Sequence, residues 1–180
     1  MLAAGLCTAA ALAILVLITG SFDEVDARVL ASEFGLVLGT LGGLAGSVVL
    51  QSKGPRRRLG QVTIAVASLA LALAAVLIWV PGALDSDFLD RSLVITSAAM
   101  LACAHASLMY SRRRCEDSSM IRAMTRIAVG STSSAALLTG CLMVFATRDP
   151  GGGVWRSLGV LVVIAVLTTL LAPLARRIGR

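Results

Sequence analysis

Residues 62–80 have the sequence VTIAVASLALALAAVLIWV, nineteen consecutive residues without a charged side chain. An α-helix of this length extends for about 28 Å, which is close to the ~30 Å thickness of the hydrocarbon core of a bilayer. Arg56–Arg58 precede the stretch, and Asp85 and Asp87 follow it. The pattern predicts a transmembrane helix with basic residues at one end and acidic residues at the other.

Similar apolar runs fill the rest of the chain. The predicted spans are Leu2–Gly20, Val29–Leu50, Val62–Val80, Leu93–Tyr110, Ile127–Thr147 and Ser157–Ala175. The runs do not alternate between apolar and polar residues, which favours helices over barrel strands. Only 14% of the residues are charged, against about 25% in a soluble domain. We therefore predict an all-α, polytopic integral membrane protein, with one transmembrane domain of six helices over residues 1–180.

The first apolar run has two interpretations. It lacks Lys and Arg before the apolar residues, and no clear small-x-small cleavage site precedes Ser21. Those features are typical of a retained helix rather than a cleaved signal peptide. We expect the first helix to be retained, while cleavage would leave five spans.

The charged residues indicate the orientation. Twelve of the sixteen Lys and Arg residues lie in Lys53–Arg58, Arg112–Arg126 and Arg176–Arg180, whereas eight of the ten acidic residues lie on the opposite side. The positive-inside rule places these basic segments, and both termini, in the cytoplasm. The excess of Arg over Lys suggests a bacterial protein, so we expect the plasma (inner) membrane. The net charge of +6 then indicates contact with anionic lipid headgroups rather than nucleic acid.

A spacing of 63 residues relates parts of the chain. Ile64–Ser68 resembles Ile127–Ser131 at this spacing, and Arg28 and Arg91 are also 63 residues apart. Arg156 has a similar place in the next hairpin. The pattern predicts three tandem hairpins related by a pseudo-threefold axis along the membrane normal. The predicted repeats are residues 1–60, 61–123 and 124–180. The alternative is that an Ala- and Val-rich composition produces such echoes by chance.

The second span carries a row of glycines. Gly35, Gly39 and Gly43 recur every four residues, and Gly42 and Gly46 form a second pair. Because lipid supplies no hydrophobic drive for helix pairing, small residues that permit close approach favour helix packing. The row either packs within this chain or contacts a second copy or a partner protein.

Glu33 is the one acidic residue inside a predicted span. A charge at mid-membrane costs roughly 2.5–3.5 kcal/mol on insertion scales, and less near the interface. Arg28 is five residues away and lies on another face, so we expect Arg91 or Arg156 of a neighbouring hairpin to pair with Glu33. The alternatives are an ion- or proton-coupling carboxylate, or a helix that begins later and leaves Glu33 in water.

Other polar residues in the spans have modest signatures. His105 is the only histidine, so we expect a structural hydrogen bond there, with a proton relay or gate as the alternative. Ser131–Ser134 and Thr139 are expected to bond to their own helix or to a neighbour. Cys115 follows three arginines in a segment interpreted as a lipid anchor, with a reactive thiol or partner docking as alternatives.

No motif in the sequence indicates catalysis, a cofactor or a metal site. There is no C-x-x-C, no G-x-S-x-G and no clustered set of metal ligands. We predict a non-enzymatic accessory or scaffold subunit of a membrane complex, whose partners are lipids and either a second copy or another membrane protein. The alternative is a small oligomeric channel or transporter with Glu33, Arg28, Arg91, Arg156 and His105 as its polar elements. If the protein is a transporter, we expect a polar cavity at mid-membrane. If it is a scaffold, we expect a groove of small residues that faces lipid.

Overall fold

A computed structural model describes residues 24–52, 54–113, 117–145 and 151–178. The long helices in these ranges are α1 (Glu24–Leu50), α2 (Pro55–Trp79), α3 (Asp87–Ser111), α4 (Ser119–Phe145) and α5 (Gly151–Ile178), with a short 3₁₀ helix at Ala83–Asp85. All five are long and apolar enough to cross a membrane. The all-helical fold class predicted from the sequence is therefore confirmed for these ranges, and the five helices could span a membrane by length and composition. The predicted first span, Leu2–Gly20, and Cys115 lie outside the described residues.

The helices extend beyond the apolar runs that predicted them. Helix α2 begins at Pro55, seven residues before Val62, and α4 begins at Ser119, eight residues before Ile127. Pro is well suited to the first turn of a helix because that position has no intrahelical use for an N–H. A helix of 25 residues is about 38 Å long and so passes through the hydrocarbon core into the headgroup regions. Hydropathy detects only the section in hydrocarbon, so the predicted spans were too short.

The helices pack as a cluster with an extension. Helices α1, α2 and α3 each pack against the other two, α4 packs against α3, and α5 packs against α4. Apart from α4, helix α5 makes at most a marginal contact with the described helices. The described helices therefore do not close into a ring, and the threefold repeat over residues 1–60, 61–123 and 124–180 stays a prediction.

Small side chains fill the interior of the bundle. Ala67, Ala70 and Met100 form one buried cluster between α2 and α3, and Met109 and Ala128 form another between α3 and α4. Small residues allow helix backbones to approach closely, and the resulting van der Waals contacts hold membrane helices together. Many large aliphatic side chains remain exposed, as expected for surfaces that face lipid.

Candidate functional site

An elongated groove lies between α3 and α5, with α4 between them. We call it the α3–α5 groove, and its volume is about 460 Å³. The part of α5 that lines it runs from Leu158 to Leu170, which corresponds to about 18 Å along the helix. The lining residues are Ala98, Leu101, Ala102, His105, Thr132, Ala135, Ala136, Thr139, Leu158, Val162, Ala165, Val166, Thr169 and Leu170. None of them carries a carboxylate, an ammonium or a guanidinium group.

One hydrogen bond connects α3 and α5 across the groove. The His105 Nε2 atom lies 3.3 Å from the Thr169 hydroxyl. The same hydroxyl donates to the Ala165 carbonyl over 2.6 Å, within α5. His105 thus takes part in a hydrogen bond between helices, and its role, structural or as a proton relay, stays a prediction.

The other hydroxyls of the groove are bonded within their own helix. The Thr132 hydroxyl shares its single hydrogen between the carbonyls of Ala128 and Val129, each 3.0 Å away. Thr139 donates to the Ala135 carbonyl over 2.9 Å. Such bonds satisfy a hydroxyl without a partner from solvent or a ligand. These threonines therefore do not by themselves make a hydrophilic path.

Ser131, the first of the four predicted hydroxyl residues of this span, does not line the groove. It is buried, and its hydroxyl lies 2.9 Å from the Ile127 carbonyl and 3.1 Å from the Ala128 carbonyl.

A buried pair of hydroxyls joins α2 to α3. The Thr63 and Ser107 hydroxyl oxygens are 3.0 Å apart, and both residues are fully buried. Thr63 also donates to the Leu59 carbonyl over 2.8 Å. This pair was not predicted from the sequence, because Thr63 and Ser107 are two of several hydroxyl residues in the second and third described apolar runs.

The glycines of α1 face α2 and α3 unevenly. An added Cβ at Gly39 would overlap the Leu71 side chain, and one at Gly42 would lie 3.2–3.3 Å from Met100 and Ala67. At Gly43 an added Cβ would meet nothing within 4 Å. Residues four positions apart differ by about 40° in direction around the helix axis. A row of glycines at every fourth position therefore gradually leaves the face that contacts a neighbouring straight helix.

The backbones of α1 and α2 approach each other closely at Gly46 and Gly60. A Cβ added to Gly60 would lie 2.6 Å from the Gly46 carbonyl oxygen and 2.8 Å from the Leu50 nitrogen. A Cβ added to Gly35 would lie 3.9 Å from the Ala74 Cβ, at ordinary contact distance. The α1 glycines in tight contact with neighbouring helices are therefore Gly39, Gly42 and Gly46, and these three pack within this chain.

Glu33 is partly buried on α1. The helix begins at Glu24, so Glu33 lies in its third turn and the hypothesis of a later start is wrong. Its Oε2 atom is buried and has no hydrogen-bond partner. No ion pair links Glu33 to Arg91 or Arg156, because α5 lies at the far edge of the bundle and Arg91 binds elsewhere. The expected partners were therefore wrong.

The three arginines of the predicted repeat have different environments. Arg28 is half-buried on α1. Arg91 is exposed on α3, and its Nη1 atom donates to the Met143 carbonyl over 3.2 Å. That carbonyl belongs to the last turn of α4, where helical donors are missing and a positive charge is favourable. Arg156 is exposed on α5, a helix with at most a marginal contact to α1.

The ranges that the structure describes contain no group of three His, Cys, Asp or Glu residues that could hold a metal ion. Cys103 is half-buried and Cys141 is exposed, and both are free thiols.

No protein-family model matches the chain, and neither the curated proteins nor the solved structures contain a significant match.

Proposed function

We propose that this chain is a non-enzymatic accessory or scaffold subunit of a membrane complex, and that a transmembrane helix of its partner docks on α4. The observation that carries the proposal is a row of exposed residues, which we call the α4 seam. It consists of Ile127, Gly130, Ser134, Leu137, Cys141 and Val144. They follow one another at alternating intervals of three and four residues.

The spacing and size of these residues suit a helix partner. Alternation of three and four residues is the pattern by which two helices pack at a shallow left-handed crossing of about 20°. Gly130, Ser134 and Cys141 are small, and a Cβ added to Gly130 would meet nothing within 4 Å. Large residues of the seam, such as Leu137 with 70% exposure, flank these small ones. The seam therefore offers both ridges and hollows to a second helix.

The α3–α5 groove supports a scaffold more than a path for ions. Its lining is apolar apart from one histidine and three threonines, and Glu33 is not part of it. A charged or hydrated substrate would lose its water in such a groove without compensating polar contacts.

The proposed topology has six helices in three tandem hairpins. The protein lies in a bacterial plasma membrane, with both termini in the cytoplasm. Arg56–Arg58, Arg122 and Arg126 are exposed at helix ends, which supports contact with anionic lipid headgroups on the cytoplasmic side. Nucleic acid is not among the proposed partners.

Two glycine substitutions test the docking proposal. Gly130→Leu fills a hollow of the α4 seam, whereas Gly159→Leu adds the same side chain to α5. Neither added Cβ meets a neighbour within 4 Å, so both variants should fold. Both are expressed with an affinity tag, extracted from membranes in mild detergent and analysed by quantitative mass spectrometry. We expect Gly130→Leu to lose a membrane protein that the wild type and Gly159→Leu both retain.

Other results of this purification discriminate between the functions. Equal recovery of partners by both variants would contradict docking on the α4 seam. Purification of the wild type alone would contradict the accessory function. Recovery of a second copy as the single partner would favour the alternative, a small oligomeric channel or transporter.

A further inference from the structure

The α3–α5 groove has the size and lining of a ligand site within the membrane. Its volume of about 460 Å³ falls in the range of about 300–1,000 Å³ that is usual for small-molecule pockets. Apolar side chains line most of it, and its polar atoms are few, as is typical of sites that orient an apolar ligand by one or two hydrogen bonds.

The hydrogen bonds at His105 leave one ring nitrogen available. The Thr169 hydroxyl has a single hydrogen, which its 2.6 Å bond directs to the Ala165 carbonyl. The hydroxyl oxygen can therefore only accept from His105 Nε2, 3.3 Å away. A neutral imidazole carries one donor and one acceptor nitrogen. With Nε2 as the donor, Nδ1 is an acceptor, and no described residue donates to it.

A proline adds a second acceptor at the same turn of α5. Pro173 lies inside α5 and has no backbone N–H. The carbonyl four residues earlier, that of Thr169, therefore lacks its usual helical donor. His105 and Thr169 together offer two acceptors and no unused donor.

We propose that the α3–α5 groove binds an apolar alcohol, with the ligand hydroxyl donating to His105 at the end of the groove marked by Thr169. His105 is six residues from the end of α3 at Ser111, or about 9 Å along the helix. At this depth water competes little for the hydroxyl, so a donor gains more than it would at the surface.

This site is separate from the proposed partner surface. Thr139 lines the groove, and it is nine residues after Gly130 of the α4 seam, which places the two on opposite sides of α4. Ligand binding in the groove therefore does not depend on the proposed function, and each can fail without the other.

The test compares an alcohol with a matched ligand that lacks the donor. The probes are a hexadecanol analogue that bears a photoreactive diazirine and an alkyne tag, and its methyl ether. Each is added to the purified full-length protein in detergent, irradiated, and the labelled peptides are mapped by mass spectrometry. We expect the alcohol to label peptides of α3, α4 and α5 that line the groove about fivefold more than the ether, as one net hydrogen bond implies.

Variants connect the preference to His105. His105→Leu should lower labelling by the alcohol towards the level of the ether, since only the Thr169 carbonyl remains as an acceptor, and leave ether labelling unchanged. Thr169→Val removes the hydroxyl that orients the imidazole and should lower the preference as well. The control is Thr168→Val, because the Thr168 hydroxyl bonds to the Ile164 carbonyl over 2.7 Å and does not line the groove. It should keep the wild-type preference.

Three results would overturn the proposal. Equal labelling by alcohol and ether would show that His105 Nδ1 and the Thr169 carbonyl do not accept a hydrogen bond from the ligand. A preference that survives both His105→Leu and Thr169→Val would place the hydroxyl elsewhere. Labelling that maps mainly outside α3, α4 and α5 would exclude the groove as the site.

Discussion

Replacement of Gly60 by Ala should weaken the contact between α1 and α2. The added Cβ would lie 2.6 Å from the Gly46 carbonyl oxygen and 2.8 Å from the Leu50 nitrogen. Carbon–oxygen contacts in proteins are normally about 3.3 Å or longer. Both neighbours are backbone atoms, so the overlap cannot be relieved by rotation of a side chain. The two helices must separate by a substantial fraction of an ångström.

Two opposing terms set the size of the effect. An overpacked methyl group in a tight interior costs typically about 1–3 kcal/mol. Gly→Ala in a helix interior recovers up to about 1 kcal/mol of helix propensity. We therefore expect Gly60→Ala to lower the free energy of unfolding by about 1–2 kcal/mol, or about 5–30-fold in the unfolding equilibrium.

Gly43→Ala is the matched control on α1. An added Cβ at Gly43 meets nothing within 4 Å, so only the propensity term applies and the variant should be as stable as the wild type or up to about 1 kcal/mol more stable. Unfolding is followed by titration with sodium dodecyl sulfate in mixed micelles. With Trp155 replaced by Phe in every variant, the fluorescence of Trp79 reports on α1–α2 contact, since its Nε1 atom donates to the Ser32 hydroxyl of α1 over 3.1 Å. Equal midpoints for the two variants would refute the close backbone approach.

Four further substitutions test three individual features of the bundle, by the same titration or by amide hydrogen exchange. Glu33→Gln should leave the free energy of unfolding unchanged or raise it, because the buried Oε2 has no partner and a neutral amide is easier to bury; a loss of about 3–5 kcal/mol would instead reveal a buried ion pair. Thr63→Val and Ser107→Ala, alone and together, should show a coupling energy of about 0.6 kcal/mol and at most about 1.7 kcal/mol; additive effects would contradict the hydrogen bond between α2 and α3. Arg91→Met should speed amide hydrogen exchange in the last turn of α4 and change global stability by under about 1 kcal/mol, and unchanged exchange there would show that the bond to Met143 does not cap the helix.

Hydropathy and charge were sufficient to predict the helices. In the described ranges, the five predicted spans from Val29 onward correspond to helices, because a run of about 20 apolar residues has few alternatives in a membrane. The ends were less predictable. Arg56–Arg58 belong to α2 rather than to the preceding loop, since charged residues remain helical in the headgroup region.

The sequence did not show how each helix is rotated about its axis, and this rotation determines which residues contact a neighbouring helix. The glycine row predicted close packing, but whether Gly43 or Gly46 faces α2 depends on how α1 is turned against its neighbour. The bond from His105 to Thr169 joins residues 64 positions apart, and no local pattern links two such positions. Glu33 was assigned partners on the assumption of a ring, which the edge position of α5 does not provide.

Site-directed photo-crosslinking on the α4 seam tests the proposed partner interface most directly. The photoreactive amino acid p-benzoylphenylalanine is placed at Leu137 on the seam or at Leu44 on α1, which are 70% and 55% exposed, and the cells are irradiated before membranes are extracted. We predict a discrete crosslink to another membrane protein from position 137 and none from position 44. Crosslinks to lipid alone from both positions, or the same protein adduct from both, would contradict a partner helix on α4.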